Sequence, residues 1–402
     1  MMHSIPRRSL VQLAGSAALA TLAPACRTGA PTPPEEDIER LVRFPGKAPL
    51  RLLTDRAPQL ETPLHYFRQD FTPNEAFFVR WHLEGVPTIV DTRSFRLRLG
   101  GHVERSLALS LDDLRATFEP VSVVAVNQCS GNARSLFAPR VPGGQWRNGA
   151  MGNARWTGVR VKDLLDRAGV KAGAVDVTFG GLDAPPLASV ADFVKSLSLD
   201  HAGDGEVMVA YAMNGADLPM LNGFPLRLVV PGWYATYWVK ALDEITVLNR
   251  AFEGFWMKKA YLIPNNETAN EAPGRPAKDV VPISRMSVRS TFVRPEPGET
   301  VRSGRPYRIE GLAMDDGAGI RRVEVSTDGG AGWRDAVLQP EIGRYSWRRW
   351  WLDWTPPRAG VHALRVRATN GAGEGQQEAQ WNHGGYRRCV IERLDVPSAE
   401  RA

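Results

Sequence analysis

Short apolar segments separated by turn residues run through most of this chain, and they constrain its fold more than any other feature. Such segments predict β-strands, whereas apolar residues at 3.6-residue spacing predict helices. Between residue 44 and about residue 261, helical spacing occurs in LDDLRATF and VKDLLDRAG, and a third helix is predicted at residues 191–199. Strands are predicted in FFVRWHL, FRLRLGG, VSVVAV, VDVTFGG, VMVAYAM, LRLVVPG and ITVLNR. Because strands dominate, we predict a mostly β, α+β domain and not a doubly wound nucleotide-binding fold.

A second group of strands follows a linker. The segment IPNNETANEAPGRPAKDVVP has no periodicity and is rich in Pro, Asn and Ala. Asp-Gly, Gly-Gly and Asn-Gly turns then separate further predicted strands at sandwich-like spacing, which indicates an immunoglobulin-like β-sandwich. These strands are predicted in SRMSVRSTF, PYRIEGLAM, RRVEVSTDG, WRDAVL, YSWRRWWLDW, GVHALRVRATN and RRCVIERL.

The N-terminal residues are typical of an export signal. Arg7 and Arg8 precede an apolar stretch from Leu10 to Ala25 that is too short to span a membrane. Twin arginines indicate the bacterial route for folded proteins, so we predict a periplasmic protein that receives any cofactor before export. An ordinary signal with two chance arginines is the alternative. A lipid anchor on Cys26 is a second alternative, although the proline before Ala25 suits it poorly.

These features divide the 402 residues into six predicted segments. The predicted segments are 1–25 for the signal, 26–43 for a Pro/Glu-rich lead-in, 44–265 for the first domain, 266–281 for the linker, 282–394 for the sandwich and 395–402 for a tail.

Composition excludes several classes of protein. The formal net charge of +6 is scattered, without Lys/Arg blocks, so we expect small anionic ligands and no nucleic acid. Three cysteines are too few for a disulfide scaffold, a four-cysteine zinc site or a cysteine-ligated iron–sulfur cluster. The chain has no Cys-x-x-Cys-His, so we predict no c-type haem in it, and we predict no transmembrane span.

Cys129 is the most informative single residue. It follows the apolar run VSVVAVNQ and precedes SGNARS, so it is predicted on a loop that leaves a buried strand. A thiolate in that place suits a soft metal ligand or a nucleophile. A nucleophile needs a histidine base, and only distant residues such as His82 or His201 are candidates. An inert buried cysteine is the third interpretation, and the residues alone leave all three open.

Four motifs, in this order, resemble the sulfite oxidase family of molybdenum enzymes: FVRWH, VNQCSGNARS, NGFPLRLVVPG and VSTDGGAGW. The resemblance covers about residues 44 to 392 and implies an α+β molybdopterin domain followed by an immunoglobulin-like, dimerisation-type domain. It implies one molybdenum on one molybdopterin, with Cys129 as the protein thiolate on the metal. Asn222 and Ala260 depart from the vertebrate pattern, and together with His82 they bring the chain closer to bacterial periplasmic sulfite dehydrogenases.

The resemblance also implies roles for individual residues. Arg80, Arg134 and Arg348 would surround an oxyanion with guanidinium donors, and Arg348 would reach the site from the C-terminal domain. Trp146 and Tyr261 would complete the pocket. Strand alternation leaves open whether Arg348 or Arg349 faces the site. The cofactor would contact Phe78, Val79, Arg80, Trp81, His82, Asp183, Asn222, Arg227, Trp238, Val239 and Lys240.

The implied reaction is oxidation of sulfite to sulfate by oxygen-atom transfer at molybdenum. With no haem in this chain, electrons would leave singly to an external cytochrome c or a similar acceptor. A second copy of the chain or a haem subunit is the expected protein partner. Nitrate or sulfoxide reduction on the same fold is the alternative, and a non-catalytic secreted binding protein is the more distant one.

Overall fold

The computed structural model describes residues 41–400, whose regular structure is mainly strand. In chain order the strands are β1 (Leu41–Val42), β2 (Leu50–Thr54), β3 (Gln59–Glu61), β4 (Val79–Arg80), β5 (Leu97–Gly101), β6 (Leu107–Leu109), β7 (Val121–Gln128), β8 (Met151–Arg160), β9 (Asp176–Gly181), β10 (Lys195–Ser198), β11 (Met208–Met213), β12 (Ala216–Asp217), β13 (Arg227–Val229), β14 (Leu242–Leu248), β15 (Leu262–Pro264), β16 (Val280–Pro282), β17 (Arg289–Arg294), β18 (Val301–Arg302), β19 (Tyr307–Met314), β20 (Ile320–Ser326), β21 (Arg334–Asp335), β22 (Val337–Leu338), β23 (Arg348–Trp354), β24 (Gly360–Asn370) and β25 (Glu392–Ala399). The α-helices are α1 (Leu111–Thr117), α2 (Val161–Ala168), α3 (Leu199–Ala202) and α4 (Phe255–Lys258).

Three sheets build the first part of the chain. Their strand orders are β1-β2-β3-β4, β10-β9-β14-β5-β6 and β12-β11-β8-β7, and β13 also pairs with β11. The pairing of β14 with β5 is parallel, and the other pairings in these sheets are antiparallel. A large apolar core that includes the fully buried Trp156, Phe179 and Trp238 joins the second and third sheets. The mostly β, α+β architecture is therefore confirmed.

Two of the three predicted helices are confirmed, as α1 and α2. The amphipathic α2 buries Val161, Leu164 and Leu165 against the core. The helix predicted at residues 191–199 is wrong, because Lys195–Ser198 pairs with β9 as an edge strand and α3 begins only at Leu199. A short apolar run fits both the helical and the strand period, and here the backbone hydrogen bonds with β9 make the segment a strand.

The long strand β8 was not predicted. It lies between β7 and β11, and pairs with β7 over residues 151–158 and with β11 over residues 156–160. Its sequence MGNARWTGVR contains Gly, Asn and Arg and lacks the apolar pattern of its neighbours. Gly158 is required where it lies, since a Cβ there would meet the Val209 carbonyl oxygen at 2.0 Å.

The C-terminal part consists of two sheets around a common core. The strand orders are β17-β19-β23-β22 and β18-β25-β24-β20-β21, and buried residues such as Ile309, Val325 and Trp350 fill the space between them. The two-layer prediction agrees with this arrangement, and its immunoglobulin-like topology stays a prediction. Strand β25 continues to Ala399, into the residues predicted as the tail.

A further buried cluster connects the two parts of the chain. It contains Tyr234, Tyr261, Met286, Leu312 and Trp347. The predicted linker begins after β15 and ends within β16, and because these two strands pair with each other it forms a closed loop. No helix among residues 41–400 is long and apolar enough to cross a bilayer. The predicted signal, the twin arginines and Cys26 lie outside the described residues, and the domain boundaries stay predictions.

Candidate active site

Cys129 lies where β7 ends, at the meeting point of two cavities. Its N–H donates to the Ala150 carbonyl (2.9 Å), and its own carbonyl accepts from the N–H of Asn132 (3.0 Å), which fixes the turn. Ala133 completes the turn in the left-handed region, with φ 65°. Cys129 is 6% exposed, and it lines both cavities together with Arg80 and Tyr261.

The larger cavity opens to solvent and has a volume of about 600 Å³. Both parts of the chain and the linker loop contribute to its wall, so the site is complete only when they pack together. The lining residues are Gln59, Arg80, Cys129, Gly131, Arg134, Pro142, Gly143, Gly144, Trp146, Lys259, Ala260, Tyr261, Leu262, Pro264, Glu271, Pro276, Ala277, Val280, His383, Gly384 and Tyr386.

Arg134 is held rigidly in the wall of the larger cavity. Its Nε donates to the Gly384 carbonyl (3.1 Å) and its Nη1 to the Gly144 carbonyl (3.3 Å), while its guanidinium lies over the Tyr386 ring at 4.9 Å. A Cβ on Gly131 or Gly143 would come within 2.6 Å or 2.8 Å of that guanidinium. The glycines therefore leave the room that this cation needs.

Tyr261 contacts three other residues of the site, namely Arg80, His82 and Tyr386. Its hydroxyl lies 2.5 Å from His82 Nε2 and 3.4 Å from Arg80 Nη2, which donates to it. Its ring stacks on Tyr386 at 5.3 Å. Burial raises the pKa of Tyr261, against the opposing effect of Arg80, so the phenol keeps its proton.

His82 is neutral in this arrangement. Burial lowers its pKa well below the ordinary value, and the positive charges of Arg80, Lys240 and Lys195 lower it further. The ring stacks on Phe193 at 3.7 Å. One hydrogen bond joins the Tyr261 hydroxyl to His82 Nε2, and the imidazole tautomer sets which of the two atoms donates. The other ring nitrogen, Nδ1, is buried and has no partner among the described residues.

Tyr261 has a left-handed backbone, with φ 60°. A bulky residue adopts this conformation at a cost of roughly 1–3 kcal/mol and only where surrounding contacts fix it. The Ile283 N–H donates to the Tyr261 carbonyl (2.8 Å), and the hydroxyl contacts fix the other end of the residue. The backbone is strained at the residue that joins Arg80 to His82, which is typical of functional sites.

The smaller cavity lies behind Cys129 and is strongly cationic. Burial lowers the pKa of Lys240 to about 7 and that of Arg227 to about 9. Among residues 41–400, neither cation forms an ion pair with a carboxylate. The residues that line this cavity are Phe78, Arg80, His82, Cys129, Ser130, Asn222, Arg227, Ala235, Thr236, Lys240 and Tyr261.

Unpaired buried groups make the lining of this cavity, whose open volume is about 20 Å³, chemically suited to an anionic ligand with hydrogen-bonding atoms. Ser130 Oγ, Thr236 Oγ1, Arg227 Nε and His82 Nδ1 are buried and have no partner in the described part of the chain. Buried polar atoms without partners are costly, and buried cations without anions more so. A phosphate-bearing heterocycle with anionic sulfurs satisfies both needs, with its sulfurs and a metal near the Cys129 thiol.

A metal at Cys129 would need ligands from outside the protein. Residues 41–400 contain no group of three or more His, Cys, Asp or Glu side chains that could hold a metal ion. A cofactor that brings its own sulfur ligands fits this donor set, and the bare protein does not.

The structure brings together most of the predicted site residues. Arg80, Cys129, Arg134, Trp146 and Tyr261 line the larger cavity, and Phe78, His82, Asn222, Arg227 and Lys240 line the smaller one, which Arg80, Cys129 and Tyr261 share. Val79, Trp81, Trp238 and Val239 are core residues directly behind, with exposures of 1% or less. Asp183 is buried near Lys240 and lines neither cavity.

The placement of Arg348 at the site is wrong. Arg348 is on β23, and its guanidinium donates to the carbonyls of Gln339 (2.7 Å) and Ile320 (2.8 Å), within the C-terminal sheets. The adjacent Arg349 pairs with Asp70 (2.7 Å). Neither arginine lines the cavity, because both are satisfied elsewhere.

Several site residues were missed by sequence reasoning. The C-terminal contribution comes from His383, Gly384 and Tyr386, on the loop between β24 and β25. The pair of glycines before Tyr386 was the available signal for a close backbone approach. Ser130 and Thr236 were also missed, since a lone hydroxyl residue carries no pattern.

Fold and site together define a molybdopterin-binding oxidoreductase, and comparison with known proteins shows the same class. Residues 82–256 match the oxidoreductase molybdopterin binding domain, and residues 280–387 match the Mo-co oxidoreductase dimerisation domain. The chain belongs to the sulfite oxidase family of molybdenum enzymes. Its cofactor is accordingly molybdenum bound to molybdopterin.

Relatives cover most of the chain. The sulfite oxidase of Gallus gallus is 35% identical over 332 residues, which cover 79% of this chain and 70% of that protein. Human mitochondrial sulfite oxidase is 36% identical over 344 residues, covering 81% of this chain, and the match spans only 60% of the human protein. An NADH nitrate reductase of Volvox carteri is 31% identical over 334 residues, covering 78% of this chain and 38% of its own length.

A solved structure resembles the whole fold. The sulfane dehydrogenase SoxCD of Paracoccus pantotrophus superposes with a TM-score of 0.74 at 26% identity, covering 94% of this chain and 93% of the matched chain. The two-part architecture is therefore shared with that structure.

Proposed function

We propose that this enzyme oxidises sulfite to sulfate by oxygen-atom transfer at molybdenum, with Cys129 as the protein ligand of the metal. The observation that carries this proposal is the shared cavity of Cys129, Arg80, Arg134 and Tyr261. Guanidinium and phenol donors around one soft ligand suit a small sulfur oxyanion that must approach a metal.

The two arginines bind and orient the anion. Arg134 is fixed by two carbonyls and a ring face, so it loses little freedom on binding. Arg80 donates to the carbonyl of Trp81 and to the Tyr261 hydroxyl, which leaves the rest of its planar fork for the ligand. Cationic donors held in place beside the reacting atoms stabilise charge as it shifts during the reaction.

Tyr261 and His82 form a neutral, hydrogen-bonded pair at the edge of the site. The phenol stays protonated and the imidazole is uncharged, so the pair adds no negative charge that would repel the anion. The phenol is placed to turn its hydrogen toward a bound oxyanion. Molybdenum, when bound, supplies the two-electron redox chemistry and the transferable oxygen.

The decisive experiment measures the turnover of sulfite, nitrate and a sulfoxide by the cofactor-loaded protein. Sulfite-dependent reduction of cytochrome c is expected, with much slower nitrate or sulfoxide reduction by reduced viologen. Molybdenum and pterin are measured on the same sample, so inactivity from missing cofactor is separated from a wrong substrate. Fast nitrate or sulfoxide reduction without sulfite turnover would overturn the proposal.

Oxidation of sulfane sulfur is a second candidate. It is favoured by the likeness to SoxCD and by a cavity of about 600 Å³, which exceeds the needs of a small oxyanion. Turnover with a persulfide is therefore run beside turnover with sulfite. A higher kcat/KM for the persulfide would make sulfane the better substrate.

We further propose a periplasmic location, an external one-electron acceptor such as cytochrome c, and a homodimer or haem subunit as protein partner. The twin arginines in the sequence support folded export. The match to a dimerisation domain supports a second copy of the chain, with an immunoglobulin-like fold for residues 282–394. Fractionation of the native host and light scattering of the purified protein test location and assembly.

A further inference from the structure

Lys47 lies on the turn between β1 and β2, ahead of the region that matches the molybdopterin-binding domain. Its side chain enters the protein, and the residue is only 6% exposed. The ammonium donates to the carbonyl of Asn74 (2.8 Å) and to Oδ1 of Asn222 (2.7 Å). A lysine is almost never buried unless it has a partner of opposite charge or a function.

Asn222 connects this lysine to the smaller cavity. Asn222 lines that cavity, its Nδ2 donates to the Phe78 carbonyl (2.9 Å), and its own carbonyl accepts from Arg227 Nη1 (2.9 Å). The Lys47 contact therefore sets which way the Asn222 amide faces. It also places a second cation behind the Arg227 end of the cavity.

Lys47 has little compensating charge inside the protein. Among residues 41–400 it forms no ion pair with a carboxylate. Burial lowers its pKa to about 7; the exposed Glu75 opposes this shift, and Arg227 adds to it. Two buried cations near each other are unfavourable without an anion, so the protein alone does not account for this lysine.

We propose that Lys47 is a positioning residue for the anionic cofactor, acting through Asn222 and through its charge beside Arg227. The lysine comes from a segment outside the matched catalytic domain, so cofactor binding also fixes the turn between β1 and β2. The proposal depends on the cofactor and not on the substrate. Its test is separate from that of sulfite oxidation.

The test measures cofactor retention and stability in the same variants. Lys47→Met removes the charge and keeps an apolar stem that tolerates burial, and Lys171→Met changes an exposed lysine as a control. Pterin fluorescence and molybdenum content follow release of the cofactor after dilution. We expect about 10-fold faster release from Lys47→Met, in the range found when residues behind a metal site are changed, and no change in the control.

Melting temperatures separate positioning from a merely structural role. The cofactor-free Lys47→Met protein is expected to melt at or above the wild-type temperature, because a buried charge has gone, whereas the loaded variant melts lower than loaded wild type. The proposal would be overturned if Lys47→Met lowered the melting temperature equally in the cofactor-free and the loaded protein and left the rate of cofactor release unchanged.

A second variant covers the case in which Lys47→Met does not fold. Lys47→Gln keeps a donor for the Asn74 carbonyl and removes only the charge. We expect it to fold and to release the cofactor faster than wild type. Release as slow as in wild type would also overturn the proposal.

Discussion

At the scale of single residues, environment decides what each of the two described cysteines can do. Both Cys129 and Cys389 are free and 6% exposed. Cys389 lies in the C-terminal core, where burial raises its pKa to about 11 and its thiol donates to the Val288 carbonyl. Cys129 instead opens on two cavities beside cations. The two cysteines are therefore equally buried, but Cys129 is expected to be reactive and Cys389 is not.

Cys129→Ser tests the ligand assignment. We expect activity to fall at least about 100-fold, because a hard hydroxyl replaces a soft thiolate on the metal. Thermal melting should change little, since serine is nearly isosteric. Cys389→Ser serves as the matched control and should keep full activity. Full activity in Cys129→Ser would refute the assignment.

Tyr261→Phe tests the phenol that joins Arg80 to His82. We expect kcat/KM for sulfite to fall about 10–100-fold, since a donor to the anion is lost and His82 Nε2 loses its partner. Tyr307→Phe, which removes a hydroxyl bonded to Glu299 in the C-terminal part, should leave turnover unchanged. Equal kinetics in the two variants would argue against a role for the phenol.

At the scale of elements, loop backbone sets the position of the cationic groups. Gly131 and Gly143 lie on either side of the Arg134 guanidinium, and the carbonyls of Gly144 and Gly384 hold it. Because glycine has no side chain, these two positions leave space for the Arg134 guanidinium. Specificity for anions thus depends on residues that carry no charge.

Gly131→Ala is the corresponding prediction. The new Cβ would come within 2.6 Å of the Arg134 guanidinium and displace it, so KM for sulfite should rise about 10-fold with a smaller change in kcat. The matched control is Gly180→Ala on β9, where the nearest atoms are 3.9 Å away. An unchanged KM in Gly131→Ala would show that Arg134 does not bind the anion.

The elements also show what sequence could and could not predict. Apolar periodicity located α1, α2 and most strands, because these bury one face in the ordinary way. It missed β8, whose Gly, Asn and Arg residues are tolerated by pairing on both sides. Motif resemblance located Cys129, Arg80 and Tyr261, but strand alternation could not show that Arg348 is bonded to backbone carbonyls elsewhere.

At the scale of the whole molecule, buried cations connect stability to cofactor binding. Burial lowers the pKa of Lys47, Lys195 and Lys240 to about 7, from an ordinary value of 10.5. Between those values the unfolded chain binds more protons than the folded one. Stability of the cofactor-free protein must therefore rise with pH in that window, by up to about 1.4 kcal/mol per pH unit for each lysine.

Urea unfolding at pH 7, 8 and 9 measures this effect. The cofactor-free protein should become more stable as the pH rises. The loaded protein should show a much smaller rise, because the anionic cofactor keeps the ammonium groups protonated. A flat or falling free energy of unfolding without cofactor would contradict the buried charge arrangement.

The composite wall of the larger cavity has an evolutionary consequence. Arg80 and Cys129 come from the first half of the chain, whereas His383, Gly384 and Tyr386 come from its last part. A gene rearrangement that exchanged only one part between relatives would also exchange a section of this cavity wall. Substitutions at the two ends should therefore be inherited together, and the loop between β24 and β25 should show selection for substrate.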